Sequence, residues 1–189
     1  MVVLSIAQQG GLADFQRVQD AVDFVPENNT QRVIIFIRAG IYREKVTIPK
    51  NKPFITFQGE EVRSTIIRWY DRAYDVDKSG KNLGTLLSAS VAINSDDFSA
   101  ANMSFENAAT FQENAVYRQA VALRISGDRD IFMNCGFYGH QDNLYDHEGR
   151  PSRCFDFPKP RTTQPANWVC VRGMQDYRPR PSIPWACME

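Results

Sequence analysis

Two glutamines and one aspartate are the residues of this sequence best suited to chemistry on an ester. Gln119 stands in RQAVALRI, and Gln141 precedes Asp142 in GHQDNLYDHEGR. The two glutamines are 22 positions apart, about one coil of a stacked parallel structure, whose rungs lie roughly 4.8 Å apart. Two side-chain amides at that distance can both donate to one developing oxyanion, as acyl transfer requires. An amide ladder without a catalytic role is the commoner outcome of such spacing, so both interpretations stay open.

Asp142 needs a particular backbone to share a cleft with its neighbour. Adjacent residues on a regular strand point to opposite faces, so Gln141 and Asp142 can line one cleft only where the chain bends. Gly139, just upstream, makes a bend plausible. A carboxyl group there can act as a general acid where an apolar surround or a second carboxylate favours its protonated form. A turn aspartate bonded to nearby backbone N–H groups is the commoner alternative.

Other catalytic arrangements find little support in the sequence. Asp146 and His147 suggest a Ser–His–Asp arrangement, but there is no G-x-S-x-G motif and the only other histidine is His140 in the same turn. The histidines and cysteines do not fall at a zinc spacing, so we expect neither a metal nor a cofactor. Tyr42 and Glu44 are expected to be structural, as an aromatic beside a strand and a solvated or capping acid.

Charge and composition exclude several classes of function. The chain has 189 residues, with 22 Lys plus Arg against 22 Asp plus Glu, so no overall field favours nucleic acid. Apolar residues make up 43% and charged residues 23%, which is typical of one folded domain with a core. No apolar run is long enough to span a bilayer, and MVVLSIAQQGG does not resemble a signal peptide.

Cys135 shares strand parity with apolar neighbours in IFMNCGF, which predicts a small buried group.

The elements that position these side chains are mostly strands. A short amphipathic helix is predicted near the start, with Asp14 as N-cap, Pro26 as the stop and an apolar stripe of Phe15, Val18, Ala21, Val22 and Val25. β-branched and aromatic runs then dominate, beginning with RVIIFIRAGIY.

Three stretches resemble one another: FITFQG from Phe54, FSAANMSFEN from Phe98 and IFMNCGFYG from Ile131. Each is followed by a shorter apolar strand. Their uneven spacing of 44 and then 33 residues is typical of a solenoid with loops between its coils, and the predicted insertions are residues 70–84 and 108–118. A β-sandwich also gives short strands at intervals, although it predicts hairpin turns that are not evident here. The pattern alone leaves a parallel β-helix and a sandwich open.

The composition changes sharply after Arg150. Residues 151–189 hold seven of the ten prolines and three of the four cysteines, Cys154, Cys170 and Cys187. Proline removes ladder donors, so neither a long helix nor a central strand is expected there. We therefore divide the chain into a domain at 1–150 and a divergent, irregular tail at 151–189. The tail is either an ordered proline-rich loop or sequence foreign to the domain, as an altered splice would leave, and we favour the second.

Several motifs together resemble the plant pectinesterases. They are DFQRVQDAVDFVP, GIYREKV, FITFQG, MSFENAA, QAVALRISGDR and GFYGHQDNLYDHEGR, and the resemblance runs from about residue 3 to Arg150. It implies an all-β, right-handed parallel β-helix, a single-stranded solenoid with a short N-terminal capping helix, here truncated. It further implies a secreted, monomeric cell-wall enzyme that demethylates methyl-esterified homogalacturonan (pectin) to pectate and methanol without cofactor or metal. Proteinaceous pectinesterase inhibitors are expected partners.

The resemblance also assigns roles to residues. By position, Gln119 and Gln141 look like the oxyanion-stabilising pair, Asp142 like the general acid/base, and Thr85 of GTLLSASV like the threonine that joins Gln119 in binding the sugar. The family usually reads Q-D-T-L-Y, where this chain has Asn143, a mild departure.

The part after Arg150 departs further from the family. The family continues with D-F-I-F-G, whose aspartate is the nucleophile, and L-G-R-P-W, whose arginine binds substrate, and neither is present. Asp156 in CFDFPKP comes too early and is not assigned as the nucleophile. We therefore expect a pectinesterase by descent with little or no activity, or alternatively a non-catalytic pectin-binding or regulatory relative. A polygalacturonase or pectate lyase would need clustered catalytic or calcium-binding acids, which this sequence lacks.

Overall fold

A computed structural model describes residues 2–8, 13–110, 119–139 and 142–147, together with the backbone of 152–156 and 168–172. The first strands and helix are β1 Val2–Ile6, α1 Val18–Phe24, β2 Val33–Ile37, β3 Gly40–Arg43, β4 Val46–Ile48, β5 Ile55–Gly59 and β6 Thr65–Trp69. They are followed by α2 Gly84–Leu87, β7 Val91–Ile93, β8 Ser99–Asn107, β9 Leu123–Ile125, β10 Ile131–Tyr138, β11 Leu144–Asp146, β12 Ser152–Asp156 and β13 Trp168–Arg172. No helix in these ranges is long and apolar enough to cross a membrane.

The strands stack as the coils of a parallel β-helix. β2, β3 and β4 form one coil, and they pair in parallel with β5, β6 and β7 of the next. β8 serves two faces, because its first half pairs with β5 and its second half with β6. β10 pairs with β8, while β9 and β11 extend the sheet of β4 and β7. The coil therefore has three faces, and we call the sheet of β4, β7, β9 and β11 the third face.

The predicted repeat is confirmed by the strand register. Thr56 pairs with Ser99, and Ser99 pairs with Ile131, so the three similar stretches lie on neighbouring coils. Their uneven spacing arises because residues 70–84 leave the coil between β6 and β7, as predicted, with a bridge between Val76 and Asn82 at the tip. Most of the second predicted insertion, 108–118, lies outside the described residues.

Asparagines make the bend that divides each long strand between two faces. Asn102 of β8 and Asn134 of β10 have φ angles of 54° and 51°, a left-handed conformation that asparagine tolerates better than most residues. Asn134 Nδ2 donates to Asn102 Oδ1 at 2.8 Å. The side chains thus stack from coil to coil at the point where the backbone turns, which keeps successive bends in register.

The interior of the coil is a ladder of aliphatic and aromatic side chains. Phe105 is fully buried, and its ring lies 6.2 Å from Phe132 and 5.7 Å from Phe137. Phe98 likewise contacts Phe57 and Phe132 at 5.1 and 5.9 Å. Because side chains alternate on each strand, every coil adds a set of inward residues to the same continuous core.

Helix α1 covers the first coil. Its stripe is buried at Val18, Ala21, Val22 and Val25, as the sequence predicted, and Val25 ends it just before Pro26. The prediction that Phe15 belongs to this stripe is wrong, because Phe15 precedes the helix, forms a bridge with Ile6 and is only partly buried. The prediction of Asp14 as N-cap is wrong, because the helix begins at Val18 and Arg17 occupies the capping position. Asp14 instead accepts from the backbone N–H of Ser5 at 2.7 Å and from its hydroxyl at 2.8 Å.

The helix is capped from a distance by Glu44, on the loop after β3. Its two carboxylate oxygens accept from the N–H groups of Val18 and Gln19 at 2.8 and 3.0 Å. Tyr42 is also buried and donates to Arg38 O at 2.9 Å. Burial, and then the charge of Glu44, raise the pKa of Tyr42 to about 12. The structural roles predicted for Glu44 and Tyr42 are therefore confirmed.

Cys135 is buried, as its strand parity predicted, and it forms no disulfide with another described side chain. Burial raises the pKa of its thiol to about 12, and the thiolate is the reactive form. We expect iodoacetamide at pH 8 to leave Cys135 unmodified in the folded protein and to alkylate it once urea unfolds the chain, as peptide mass spectrometry would show. Rapid alkylation of Cys135 without denaturant would contradict this burial.

Two segments of the tail join the large sheet. β12 and β13 pair antiparallel with each other, and β13 pairs antiparallel with β10. The expectation of an irregular tail without a strand inside the sheet is therefore wrong for these segments, since β13 lies between β10 and β12. The prolines of the tail fall outside both strands, so the strand-forming WVCVR can supply ladder partners to the open edge of β10. The division of the chain at residue 150 stays a prediction.

Candidate active site at the turns into the third face

The backbone at Gln119 and the backbone just before Thr85 both form hydrogen bonds with one residue, Ala73. The N–H of Ala73 donates to Gln119 O at 2.9 Å, and the carbonyl of Ala73 accepts from the N–H of Gly84 at 2.7 Å. Ala73 is buried, and Thr85 directly follows Gly84 at the start of α2. The structure therefore brings together two of the predicted site residues, which are 34 positions apart in the sequence, through the root of the 70–84 insertion.

Asp142 lies at the equivalent turn of the next coil. Leu144 of β11 pairs with Leu123 of β9, and the N–H of Leu123 donates to Asn143 O at 3.0 Å. Asp142 is exposed and has a φ of 61°, so the bend that the sequence required at this position is present. Gln141 and His140 lie outside the described residues.

Gly139 allows this turn to sit close to the previous one. A methyl group on Gly139 would lie 2.5 Å from Asn143 Oδ1 and 3.4 Å from Ala120 O. The first distance is far below ordinary contact, so a larger residue here would displace the Asn143 side chain. Ala120 directly follows Gln119, so the turn that carries Asp142 packs against the turn that carries Gln119.

The side chain of Gln119 has a free hydrogen-bonding position. Its Oε1 is buried and has no partner among the described residues, although buried polar groups are nearly always paired. The two ends of a carboxamide exchange by a half-turn, so this position can present either a carbonyl or an N–H. An unpaired buried amide is costly in a folded protein, and a bound ligand is one way of satisfying it.

The backbone around this site is held by two buried polar residues that the sequence reasoning missed. Asn107 Nδ2 lies within hydrogen-bonding distance of three carbonyl oxygens, those of Asp71, Ser88 and Val121. Ser88 Oγ donates to Thr85 O at 2.9 Å and accepts from the N–H of Val121 at 3.3 Å. Asn107 could have been noticed, because it shares strand parity with buried Met103 and Phe105 and so points inward.

The insertion beside the site is braced by its own side chains. Asp75 accepts from the backbone N–H of Arg72 at 2.8 Å and pairs with its guanidinium at 3.0 Å. At the tip, Asp77 accepts from the hydroxyl and N–H of Ser79. The bond from the Ser79 hydroxyl is the main reason that the pKa of Asp77 lies below its usual value. The loop that carries Ala73 is thus an ordered wall of the site.

One cationic side chain stands on the outer surface of the third face, just beyond the Gln119 turn. Arg124 lies between buried Leu123 and Ile125 on β9, and its Nη2 donates to Asn94 Oδ1 at 2.7 Å. Burial lowers the pKa of Arg124, but an arginine remains charged in proteins. Among the described residues, no group of three or more His, Cys, Asp or Glu side chains is arranged to hold a metal ion.

These features define a parallel β-helix protein with a polar site where successive coils turn into one face. The pectinesterase family model matches residues 3–153. Pectinesterase QRT1 of Arabidopsis thaliana is 48% identical over 149 residues, covering 78% of this chain and 39% of that protein. Probable pectinesterase 8 of the same plant is 43% identical, covering 75% and 35%. The chain belongs to the pectinesterase family.

Solved structures agree with this assignment. Pectin methylesterase from carrot has a TM-score of 0.67 and 37% identity, covering 76% of this chain and 42% of that one. A pectin methylesterase mutant in complex with a hexasaccharide has a TM-score of 0.69 and 27% identity, covering 76% and 45%. The parallel β-helix predicted from the resemblance is confirmed. The chain spans about two fifths of the length of the relatives it matches.

Proposed function

We propose that this chain is a pectinesterase-type ester hydrolase that recognises methyl-esterified homogalacturonan, and that in this form it hydrolyses the esters slowly or not at all. The observation that carries the proposal is the buried Oε1 of Gln119, which has no partner among the described residues, in a turn packed against the turn of Asp142. A preorganised amide costs no reorganisation as charge develops on the ester oxygen, which is the condition for transition-state stabilisation.

Each predicted site residue has a role in this proposal. Gln119 and Gln141 donate to the developing oxyanion, Asp142 protonates the departing methanol, and Thr85 contacts the sugar together with Gln119. The charge of Arg124 on the same face suits a polymer whose demethylated residues are carboxylates. The proposed setting is extracellular, in the cell wall, as a monomer whose partners are pectin and proteinaceous pectinesterase inhibitors.

The impairment follows from the chemistry of the proposed reaction. In the family mechanism one carboxylate attacks the ester carbonyl, methanol leaves, and water hydrolyses the acyl-enzyme. Asp142 would supply the proton donor, but residues 151–189 carry no D-F-I-F-G motif to supply the nucleophile. Loss of a nucleophile removes most of an enzyme's acceleration and leaves what binding and oxyanion donors supply. The same absence favours the second candidate, a non-catalytic pectin-binding or regulatory relative.

Two measurements on the purified chain test the proposal. We expect it to bind highly methyl-esterified homogalacturonan and to release methanol at close to the background rate. Replacing Gln119 with alanine should weaken binding about 3- to 10-fold, the equivalent of one hydrogen bond. The matched control is Gln58→Ala, because Gln58 is also partly buried and, among the described residues, its side chain donates only to Gly59 O at 3.2 Å. Its affinity for the polymer should not change.

The outcomes separate the two candidates. Rapid methanol release that Asp142→Ala abolishes would show that the proposed impairment is wrong. A slow residual release that Asp142→Ala abolishes supports the impaired esterase, whereas release that stays at the background rate in both proteins, with equal binding, favours the non-catalytic relative. A chain that binds neither esterified nor demethylated polymer has neither function.

A further inference from the structure

We propose that Asn107 is the positioning residue of this site, holding the Gln119 and Thr85 backbones in the arrangement that binds the polymer. The inference rests on the proposed function and extends it to a buried residue that would touch no substrate. Asn107 is the last residue of β8, is 2% exposed, and points into the space enclosed by the 70–84 insertion, α2 and the segment that precedes β9.

The hydrogen bonds of Asn107 use its whole side chain. Nδ2 lies 2.9 Å from Asp71 O, 3.1 Å from Val121 O and 3.2 Å from Ser88 O. An amide nitrogen carries two hydrogens, so one hydrogen is shared between two of the three carbonyls. Oδ1 accepts from the N–H of Ala109 at 3.0 Å. No other neutral side chain of this size offers two donors and an acceptor in this geometry.

Two of these carbonyls belong to segments that hold the Gln119 backbone. Val121 is two residues after Gln119 in the chain. Asp71 is two residues before Ala73, whose N–H donates to Gln119 O. One nitrogen therefore holds both the segment that leads to Ala73 and the segment that follows Gln119. This limits the movement of the Gln119 backbone, and with it the direction of the Gln119 side chain.

The third carbonyl, that of Ser88, links Asn107 to the segment of Thr85. Ser88 is three residues after Thr85 and closes α2, with its hydroxyl donating to Thr85 O. The same hydroxyl accepts from Val121 N–H, so Ser88 joins the α2 segment to the Gln119 segment a second time. Asn107 and Ser88 thus form a buried network in which the positions of Thr85 and Gln119 depend on each other.

The test compares variants inside and outside this network. Asn107→Ala removes the centre of the network, and Ser88→Ala removes only one bridge, so that a folded variant is available even where the first is too unstable. The control is Ser104→Ala on the same strand. Ser104 is buried and its hydroxyl donates to a loop carbonyl, that of Val62, which has no part in the network.

Amide hydrogen exchange, followed by NMR, measures how firmly the network holds the backbone N–H groups around the site. In Asn107→Ala, the N–H groups of Ala73, Gly84 and Val121 should exchange at least about 10-fold faster, measured relative to amides of β2 and β5. In Ser88→Ala the increase should be smaller, and it should be largest at Val121. Ser104→Ala should leave all three unchanged. Unchanged exchange in Asn107→Ala would overturn the proposal.

Polymer binding then separates positioning from general stability. At a temperature where all variants are folded, affinity for esterified homogalacturonan should fall about 10-fold in Asn107→Ala and about 3-fold in Ser88→Ala, with no change in Ser104→Ala. Equal losses in Ser104→Ala, or no loss in Asn107→Ala, would show that Asn107 is only a stabilising residue. Absence of binding by the unmodified chain would instead contradict the proposed function, and the exchange measurement alone would then decide whether Asn107 positions Gln119 and Thr85.

Discussion

Replacing Phe105 with alanine is expected to lower the free energy of unfolding by about 3–5 kcal/mol, as is usual for a phenylalanine removed from a close-packed core. Phe105 is fully buried and its ring contacts Phe132 and Phe137 of the next coil. Those rings belong to a rigid ladder of strands, so the surroundings cannot collapse to fill the cavity. Urea unfolding followed by circular dichroism measures the change.

The control for this prediction is Phe24→Ala. Phe24 is 64% exposed and touches Phe15 at the end of α1, with ring centroids 5.4 Å apart. Its replacement should cost about 1 kcal/mol or less, because little apolar area returns to water. Similar losses at Phe105 and Phe24 would mean that the core is not packed as described.

The second large effect is expected for Glu44→Gln, which should destabilise the protein by about 2–3 kcal/mol. Glu44 is 6% exposed and both of its oxygens accept from the N-terminus of α1. Hydrogen bonds to a charged group contribute roughly 1.5–3 kcal/mol each. In the variant, one of the two oxygens becomes an NH₂ group that faces another donor, and the attraction between the carboxylate and the positive end of the helix is lost.

Asp20→Asn is the matched control for Glu44. Asp20 is also an acid in the first turn of α1, but it is half exposed, and among the described residues it pairs with Arg17 at 3.7 Å. Exposed pairs of this kind contribute about 0.5 kcal/mol or less. Thermal unfolding of both variants at one pH gives the comparison, and a loss at Asp20 as large as that at Glu44 would argue against the buried cap.

Both predictions concern the scaffold on which the site depends. β8 carries Phe105 in the core and, two residues later, Asn107 beneath the site. A cavity at Phe105 would let the end of β8 shift, and with it the carbonyls that Asn107 holds. The site is therefore built from turns, but the packing inside the coil keeps those turns in place.

Several features followed from the sequence alone. The similar stretches at Phe54, Phe98 and Ile131 predicted a repeating strand unit that fits stacked coils or a sandwich, and the resemblance to the pectinesterases decided for the coils. Strand parity predicted the burial of Cys135, and Gly139 made a bend at Asp142 plausible. These predictions need only local pattern, since side-chain direction on a strand and backbone freedom at glycine are properties of neighbouring residues.

Other features were decided by the tertiary structure. The cap of α1 is Glu44, 26 positions after Val18 in the chain, where the sequence predicted the nearby Asp14. WVCVR became a strand in a proline-rich tail because β10 had an edge to pair with. Asn107 bonds to Asp71, 36 positions before it in the chain, and to Val121, 14 positions after it. In each case a donor or acceptor is satisfied by a group distant in sequence, and only the stacking of the coils determines which distant group comes within hydrogen-bonding distance.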